Sequence, residues 1–172
     1  VQLSRLDIMK EVTKKVLSSV NNLNVGLMRF NNRQGGPVIL GVTDLDANRQ
    51  DVMDAIDSLP ANGWTPLSET LYESALYWRG MPAHYGELID ETDTDDLALA
   101  SEDPEVYQQP VWDACTKNYN VLLTDGQPTQ DDDAPGLVPT LPNFAAAMGR
   151  STCTFNAQGD CLDDVTEYLS IE

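Results

Sequence analysis

The sequence is short of basic residues and has no long apolar run. Ten Lys and Arg stand against 28 Asp and Glu, which gives a formal charge of −18 at pH 7. A nucleic-acid backbone or an anionic membrane surface would repel such a chain, so cations and basic partners are its expected counterparts. Because the 172 residues contain neither a long apolar run nor a basic-then-apolar leader, we expect no membrane span and no signal peptide within them.

The motifs of the common enzyme classes are missing as well. The chain has no Gly-x-Ser-x-Gly, no metal-type pair of histidines and no phosphate-cradling glycine loop. Its single histidine, His84, lies in an acidic stretch and is expected to be a solvated loop residue. We therefore expect a protein that is not an enzyme. The alternative is a metal-dependent phosphohydrolase with Asp125 as nucleophile, although haloacid-dehalogenase-like enzymes carry a second Asp where this chain has Gln127.

Cysteine is scarce, and the count of three is odd. Cys153 and Cys161 are separated by a short polar stretch that contains a glycine, whereas Cys115 has no near neighbour. We predict a disulfide between Cys153 and Cys161, which implies an oxidising compartment. On spacing alone, three free thiols in a cytosolic protein remain the alternative.

Hydrophobic periodicity predicts an α/β protein. A capping box of Ser4 and Asp7 opens the clearest helix, at residues 4–20, and its predicted apolar stripe is Leu6, Met9, Val12, Val16 and Val20. Two runs, 25–30 and 37–43, are predicted to form antiparallel strands joined by a turn. The remaining predictions are helices at residues 47–59, 65–77, 143–148 and 162–171, and a buried strand at 119–124.

An acidic segment interrupts this pattern after the third helix. Residues 80–116 contain ten acids and no Lys or Arg, and neither a helical nor a strand period persists. We expect an insertion or long loop, assigned to residues 80–114, that contributes little to the core. Its carboxylates are spaced as in a calcium loop, but Asp96 stands where the sharp turn requires Gly, so a solvated acidic loop is the alternative. The weak calcium candidates are Glu91, Asp93, Asp95 and Glu102.

Two short motifs lie where α/β proteins carry their ligand sites. Residues 119–129 read YNVLLTDGQPT, an apolar run that ends in Asp125, and residues 63–71 read GWTPLSETL, with Thr65 before a proline at a predicted helix start. Together they resemble two ion-binding loops of von Willebrand factor A domains. Five segments in order resemble the A domain of PilY-type tip adhesins of bacterial type IV pili: RLDIMKEV, VGLMRFN, NGWTPLSETLYESALYWRG, NYNVLLTDGQPT and CLDDVTEYL.

The resemblance implies a Rossmann-like, doubly wound sheet with helices on both faces. It covers about residues 4–79 and 113–171, so residues 1–172 correspond to a partial von Willebrand factor A domain with the acidic insertion within it. In the family, the first strand ends in Asp-x-Ser-x-Ser and would fall before Val1. The strands that follow the CLDD helix are missing too, so the fold is expected to be incomplete in this chain.

The same resemblance implies a metal-ion-dependent adhesion site. Thr65 would supply a hydroxyl and Asp125 a carboxylate to Mg²⁺, or to Ca²⁺ or Mn²⁺, alongside the aspartate and serines of the first loop. The open coordination position would take an acidic side chain of a host or surface ligand. The implied function is adhesion and pilus assembly, with pilins or minor pilins as partners, at the pilus tip or outer surface of a bacterium.

The site residues also have structural interpretations. Thr65 before Pro66 is an ordinary helix N-cap, and Asp125 before Gly126 is an ordinary turn former. Residues 131–133, three consecutive aspartates, are expected to be a solvated charge run. An intracellular A-domain subunit of the metal-chelatase type is a further alternative, against which an oxidised cysteine pair would argue.

Overall fold

The chain forms a mixed α/β structure. The computed structural model describes residues 3–31, 34–86, 94–95, 98–100, 103–110, 115–124, 126–154 and 159–171. In chain order the elements are α1 (Arg5–Ser19), β1 (Asn24–Met28), β2 (Val38–Asp44), α2 (Leu45–Ser58), α3 (Leu67–Arg79), β3 (Leu99–Ala100), β4 (Asp103–Tyr107), α4 (Ala134–Leu137), α5 (Phe144–Met148) and α6 (Leu162–Ile171), with a 3₁₀ turn at Val138–Thr140.

Helix α1 begins at the predicted capping box. The Asp7 N–H donates to Ser4 Oγ at 3.1 Å, and the Ser4 N–H donates to Asp7 Oδ2 at 2.9 Å. Leu17 packs on the smaller of two cores, formed by β1, β2 and α2. The predicted apolar stripe is wrong in part, because the helix turns Val12 and Val16 outward, where they are 57% and 54% exposed.

The first two strands form the predicted antiparallel hairpin. Asn24 pairs with Asp44 and Met28 with Val38. Asp44 then caps α2, since its Oδ1 accepts the N–H groups of Asp46 and Ala47 at 2.8 and 3.3 Å. Among the described residues this sheet has only these two strands, so the other edge of β1 is unpaired.

Helix α3 is the centre of the larger core. All of its residues from Leu67 to Tyr77 are buried, and it contacts α4, α6 and β4. It ends at Gly80, which adopts a left-handed conformation with φ of 61° that glycine reaches at little steric cost. A disulfide joins Cys153 to Cys161 just before the final helix, which confirms the predicted pair. Cys115 is exposed and is not part of that bond.

The acidic segment contributes more to the core than expected. Strands β3 and β4 pair with each other, and Pro82 bridges to Val106. Tyr85, Ala98 and Tyr107 are buried members of the larger core. The expectation of a loop with little core contribution is therefore wrong for these residues. The aromatic side chains of Tyr85 and Tyr107 supply apolar surface to the larger core in spite of the surrounding acids.

The buried strand expected at residues 119–124 is not formed. These residues adopt no regular secondary structure, and Tyr119 and Val121 are 75% and 81% exposed. Among the described residues, Asn120 ties the run to the core, because its Oδ1 accepts from Ser74 Oγ and Trp78 Nε1, each at 3.0 Å. The described strands thus form two separate two-stranded antiparallel sheets. Among the described helices, none combines the length and apolarity that a bilayer crossing requires.

Candidate functional site

Thr65 lies two residues before α3 and is paired with the loop that follows Asp125. The Thr65 N–H donates to Thr129 Oγ1 at 3.0 Å, and the Thr129 N–H donates to the Thr65 carbonyl at 3.1 Å. Thr65 is half-buried. The two motif-bearing segments therefore meet at one place in the fold. Asp125 itself lies outside the described residues.

The N-terminus of α3 is capped by Asp131 rather than by Thr65. Pro66 occupies the N-cap position, and neither it nor Thr65 provides a side-chain cap. Instead Asp131 Oδ2 accepts the Ser68 N–H at 2.9 Å and Oδ1 accepts the Glu69 N–H at 3.0 Å. The alternative interpretation of Thr65 as the capping side chain is thus wrong. A carboxylate at this end also interacts favourably with the helix dipole.

Asp131 is not part of a solvated charge run, although its two neighbours are exposed. It is 5% exposed. Burial raises its pKa, while the hydrogen bonds from the N-terminus of α3 act in the opposite direction. The prediction for residues 131–133 is correct for Asp132 and Asp133 and wrong for Asp131. Three adjacent aspartates are indistinguishable in sequence, and only the first reaches unpaired helix N–H groups.

Glu69, on the first turn of α3, is a fully buried carboxylate that joins three segments. Its Oε2 accepts the Gly35 N–H at 2.8 Å, and its Oε1 accepts the Asp133 N–H at 3.0 Å. Burial raises the pKa of Glu69 to about 7, with smaller contributions from Asp131 and Asp133, in spite of the two N–H donors. The side chain therefore holds the β1–β2 turn and the loop after Thr129 against α3.

Glu73, one turn further along α3, binds the start of the acidic segment. Its carboxylate accepts the N–H groups of His84, Tyr85 and Gly86 at 3.0, 3.0 and 3.1 Å, and the Tyr107 hydroxyl at 2.6 Å. His84 is held in a half-buried position, with its ring edge-on to Tyr72 and Tyr85. The expectation of a solvated histidine is wrong for this reason.

Tyr85, whose ring lies against His84, is buried with an unsatisfied hydroxyl. The side chain is 3% exposed, and its oxygen has no hydrogen-bond partner among the described residues. Burial raises the pKa of Tyr85, and Glu69 is the carboxylate that adds most to this effect. A side chain on Gly35 would collide with the Tyr85 ring, because a Cβ there would lie 2.2 Å from its Cγ. Gly35 thus lies against the Tyr85 ring and also donates its N–H to Glu69.

Of the four calcium candidates in the acidic segment, Asp95 lies among the described residues. Asp95 Oδ2 accepts the Gly41 N–H at 2.7 Å, so this carboxylate ties the segment to β2. Glu91, Asp93 and Glu102 lie outside the described residues. Asp95 therefore has a structural contact of its own, and the calcium loop stays a prediction.

Within the described ranges, one group of metal-type side chains comes close together: Cys153, Cys161 and Asp164. The cysteines are joined to each other and offer no thiolate. Asp164 accepts from Arg150 Nε and the Thr154 N–H, each at 2.8 Å. The cluster fixes the entry to α6 and is a poor candidate for a metal centre.

Comparison with known proteins found no relative: no family model, no curated protein and no solved structure matches the chain. The candidate site consequently rests on the motif residues and on the contacts described above.

Proposed function

We propose that this chain is the central part of a von Willebrand factor A domain that carries a metal-ion-dependent adhesion site. The observation that supports this most is the pairing of Thr65 with Thr129, because it joins the TPLSE segment to the TDGQPT segment. Thr65 would offer its hydroxyl and Asp125 its carboxylate to Mg²⁺, with Ca²⁺ or Mn²⁺ as substitutes. The preceding Asp-x-Ser-x-Ser loop would complete the octahedron.

Unpaired surfaces support an incomplete sheet. Among the described residues, the outer edge of β1 is unpaired and the apolar run at 119–123 is exposed, and an added strand beside that run would cover it. The backbone of residues 119–123 makes no hydrogen bond to another described backbone group. Because strands need partners for their N–H and C=O groups, the run stays outside a sheet when no neighbouring strand is present.

The proposed role is adhesion and type IV pilus assembly at the pilus tip, outside the cell. The disulfide supports an oxidising location and argues against an intracellular chelatase-type subunit. The charge of −18 argues against nucleic acid as a partner. Pilins or minor pilins would be the assembly partners, and the surface ligand would supply an acidic side chain to the metal. No described contact favours the phosphohydrolase alternative.

Titration calorimetry with Mg²⁺ tests the site. Two ligands leave most of the octahedron to water, so we expect weak binding by the 172-residue chain and binding at least about tenfold tighter once the preceding loop is present. In the longer chain, Asp125→Asn and Thr65→Ala should each abolish that gain. The matched control is Asp132→Asn, an exposed acid nearby, which should leave the affinity unchanged. Equal affinities in all variants would contradict the proposal.

A phosphatase assay addresses the enzymatic alternative separately. The wild-type chain and Asp125→Asn are compared with a generic phosphomonoester in the presence of Mg²⁺. We expect no activity in either protein. Activity that depends on Asp125 would replace adhesion with phosphoryl transfer as the proposed function.

A further inference from the structure

The loop between α2 and α3 contains the one asparagine of the chain that is followed by glycine. Residues 59–66 read LPANGWTP, with Asn62 and Gly63 at the centre. Every other asparagine of the chain precedes a residue with a side chain. Because glycine has no Cβ, the Gly63 nitrogen is open to approach by the Asn62 side chain. Asparagine is among the chemically labile residues of proteins, and this neighbour removes the steric protection that its amide normally has.

The fold leaves this pair unrestrained. Asn62 and Gly63 are both exposed and lie outside the helices and strands, and Gly63 adopts a φ of 100° that favours glycine. Among the described residues, neither the Asn62 side-chain amide nor the Gly63 N–H has a hydrogen-bond partner. Water and hydroxide therefore reach both groups, and no hydrogen bond has to break before they react.

Several other asparagines are held by the fold. Asn31 is 1% exposed, and its N–H donates to the Gly35 carbonyl at 2.8 Å. The side-chain amide of Asn48, within α2, donates to Thr43 Oγ1 at 2.8 Å. Asn62 thus combines the reactive neighbour with freedom from such contacts.

We propose that Asn62 is a self-modification site, at which the side-chain amide is converted to a carboxylate without a partner. The Gly63 nitrogen forms a bond to Asn62 Cγ, the Cγ–Nδ2 bond breaks, and ammonia leaves with the backbone amide proton. The product is a five-membered succinimide ring. Water then adds to one of the two ring carbonyls and breaks its bond to nitrogen. The nitrogen regains a proton, and the new acid, aspartate or isoaspartate, releases one to solvent.

The new carboxylate would lie close to the proposed ion site. Asn62 precedes Thr65 by three positions, and three extended residues span at most about 10 Å. That span is comparable to the Debye length of about 8–10 Å near physiological ionic strength. The modification would therefore add an attractive charge for a cation at the Thr65 edge. This consequence rests on the proposed function, whereas the modification itself does not.

Incubation of the 172-residue chain, followed by peptide mapping with mass spectrometry, tests the modification. We expect the peptide that contains Asn62 to gain the mass of an amide-to-acid conversion at least about tenfold faster than the other asparagine peptides, because only Gly63 lacks a Cβ. The conversion should be faster at pH 8 than at pH 5.5, since the attacking nitrogen must lose its proton. Asn22 is the matched control within the chain, because it is exposed but precedes Leu23.

The same incubation in guanidinium chloride measures how far the fold restrains the pair. Because the loop is free, Asn62 in the folded chain should convert within about tenfold of its rate in the unfolded chain. Asn62→Gln should stop the conversion at this position, because its longer side chain would have to close a less favourable six-membered ring. An Asn62 that persists in the folded chain while the unfolded chain converts, or a conversion of Asn22 at the same rate, would overturn the inference.

Mg²⁺ titration of the longer chain separates this inference from the proposed function. At low ionic strength Asn62→Asp should bind Mg²⁺ about threefold more tightly than Asn62→Gln, as expected for a charge about 10 Å from a divalent ion. Equal, measurable affinities would mean that the effect on the ion is wrong. If neither variant binds Mg²⁺ but Asn62 of the wild type converts as expected, the adhesion site is wrong and the modification site stands.

Discussion

Helix α3 and the run at residues 119–123 show opposite relations between polarity and burial. Glu69 and Glu73 on α3 are 0% exposed, whereas Val121, in one of the most apolar runs of the chain, is 81% exposed. Hydrophobicity alone would place these segments the other way round. The difference teaches that hydrogen-bond partners decide burial here as much as apolar surface does.

Glu69 and Glu73, the buried acids of α3, each accept hydrogen bonds from several donors. Glu73 accepts three consecutive backbone N–H groups and one hydroxyl, and Glu69 accepts two N–H groups from different segments. Buried polar groups are tolerated when such partners are present. The run at 119–123 has no comparable backbone partner among the described residues, so its apolar side chains remain outside a core.

The largest expected effect is the removal of Glu73. Glu73→Ala would leave three backbone N–H groups and the Tyr107 hydroxyl without their acceptor, and we expect a loss of about 4 kcal/mol in the free energy of unfolding. Urea denaturation followed by circular dichroism measures it. The control is Glu11→Ala, an exposed glutamate on α1, which should change stability by less than about 0.5 kcal/mol. A loss for Glu73→Ala as small as that of the control would show that water replaces the carboxylate.

A smaller effect concerns Glu69 and pH. Its pKa is about 7 in the folded chain against an ordinary 4.5, so the stabilisation from this group is fully present below about pH 4.5 and is lost as pH rises through 7. The total change is on the order of 3 kcal/mol. The measurement is the difference in unfolding free energy between the wild type and Glu69→Gln from pH 4 to pH 8. A difference that does not vary with pH would mean that Glu69 titrates normally.

Local patterns were sufficient to predict the elements that depend on neighbours in sequence. The capping box of Ser4 and Asp7 located α1, and the two runs at residues 25–30 and 37–43 located the β1–β2 hairpin. The short spacing of Cys153 and Cys161 located the disulfide. Each of these features is decided within a few residues of chain, where spacing and turn chemistry carry the information.

The buried carboxylates could not be predicted in the same way. Asp131 caps α3 from a position 63 residues beyond Ser68, and Glu73 binds the N–H of His84 eleven positions away. In sequence these acids look like any solvated charge, because their donors come from other segments. The pairing of Thr65 with Thr129 was not predicted, because the sequence motifs pointed to Thr65 and Asp125 as the residues that meet.

The smallest expected effect concerns the exposed run. In the 172-residue chain, Val121→Ser removes an apolar side chain that touches mostly water, so the unfolding free energy should change by less than about 0.5 kcal/mol. If a preceding strand covers the run as we propose, the same substitution in the longer chain should cost about 2 kcal/mol, because the side chain would then be buried. Tyr119→Ser is a second exposed change in the same run. Equal and negligible losses of unfolding free energy in both chains would mean that the run is exposed in the longer chain as well. The contrast in burial between this run and α3 would then hold for the longer chain too.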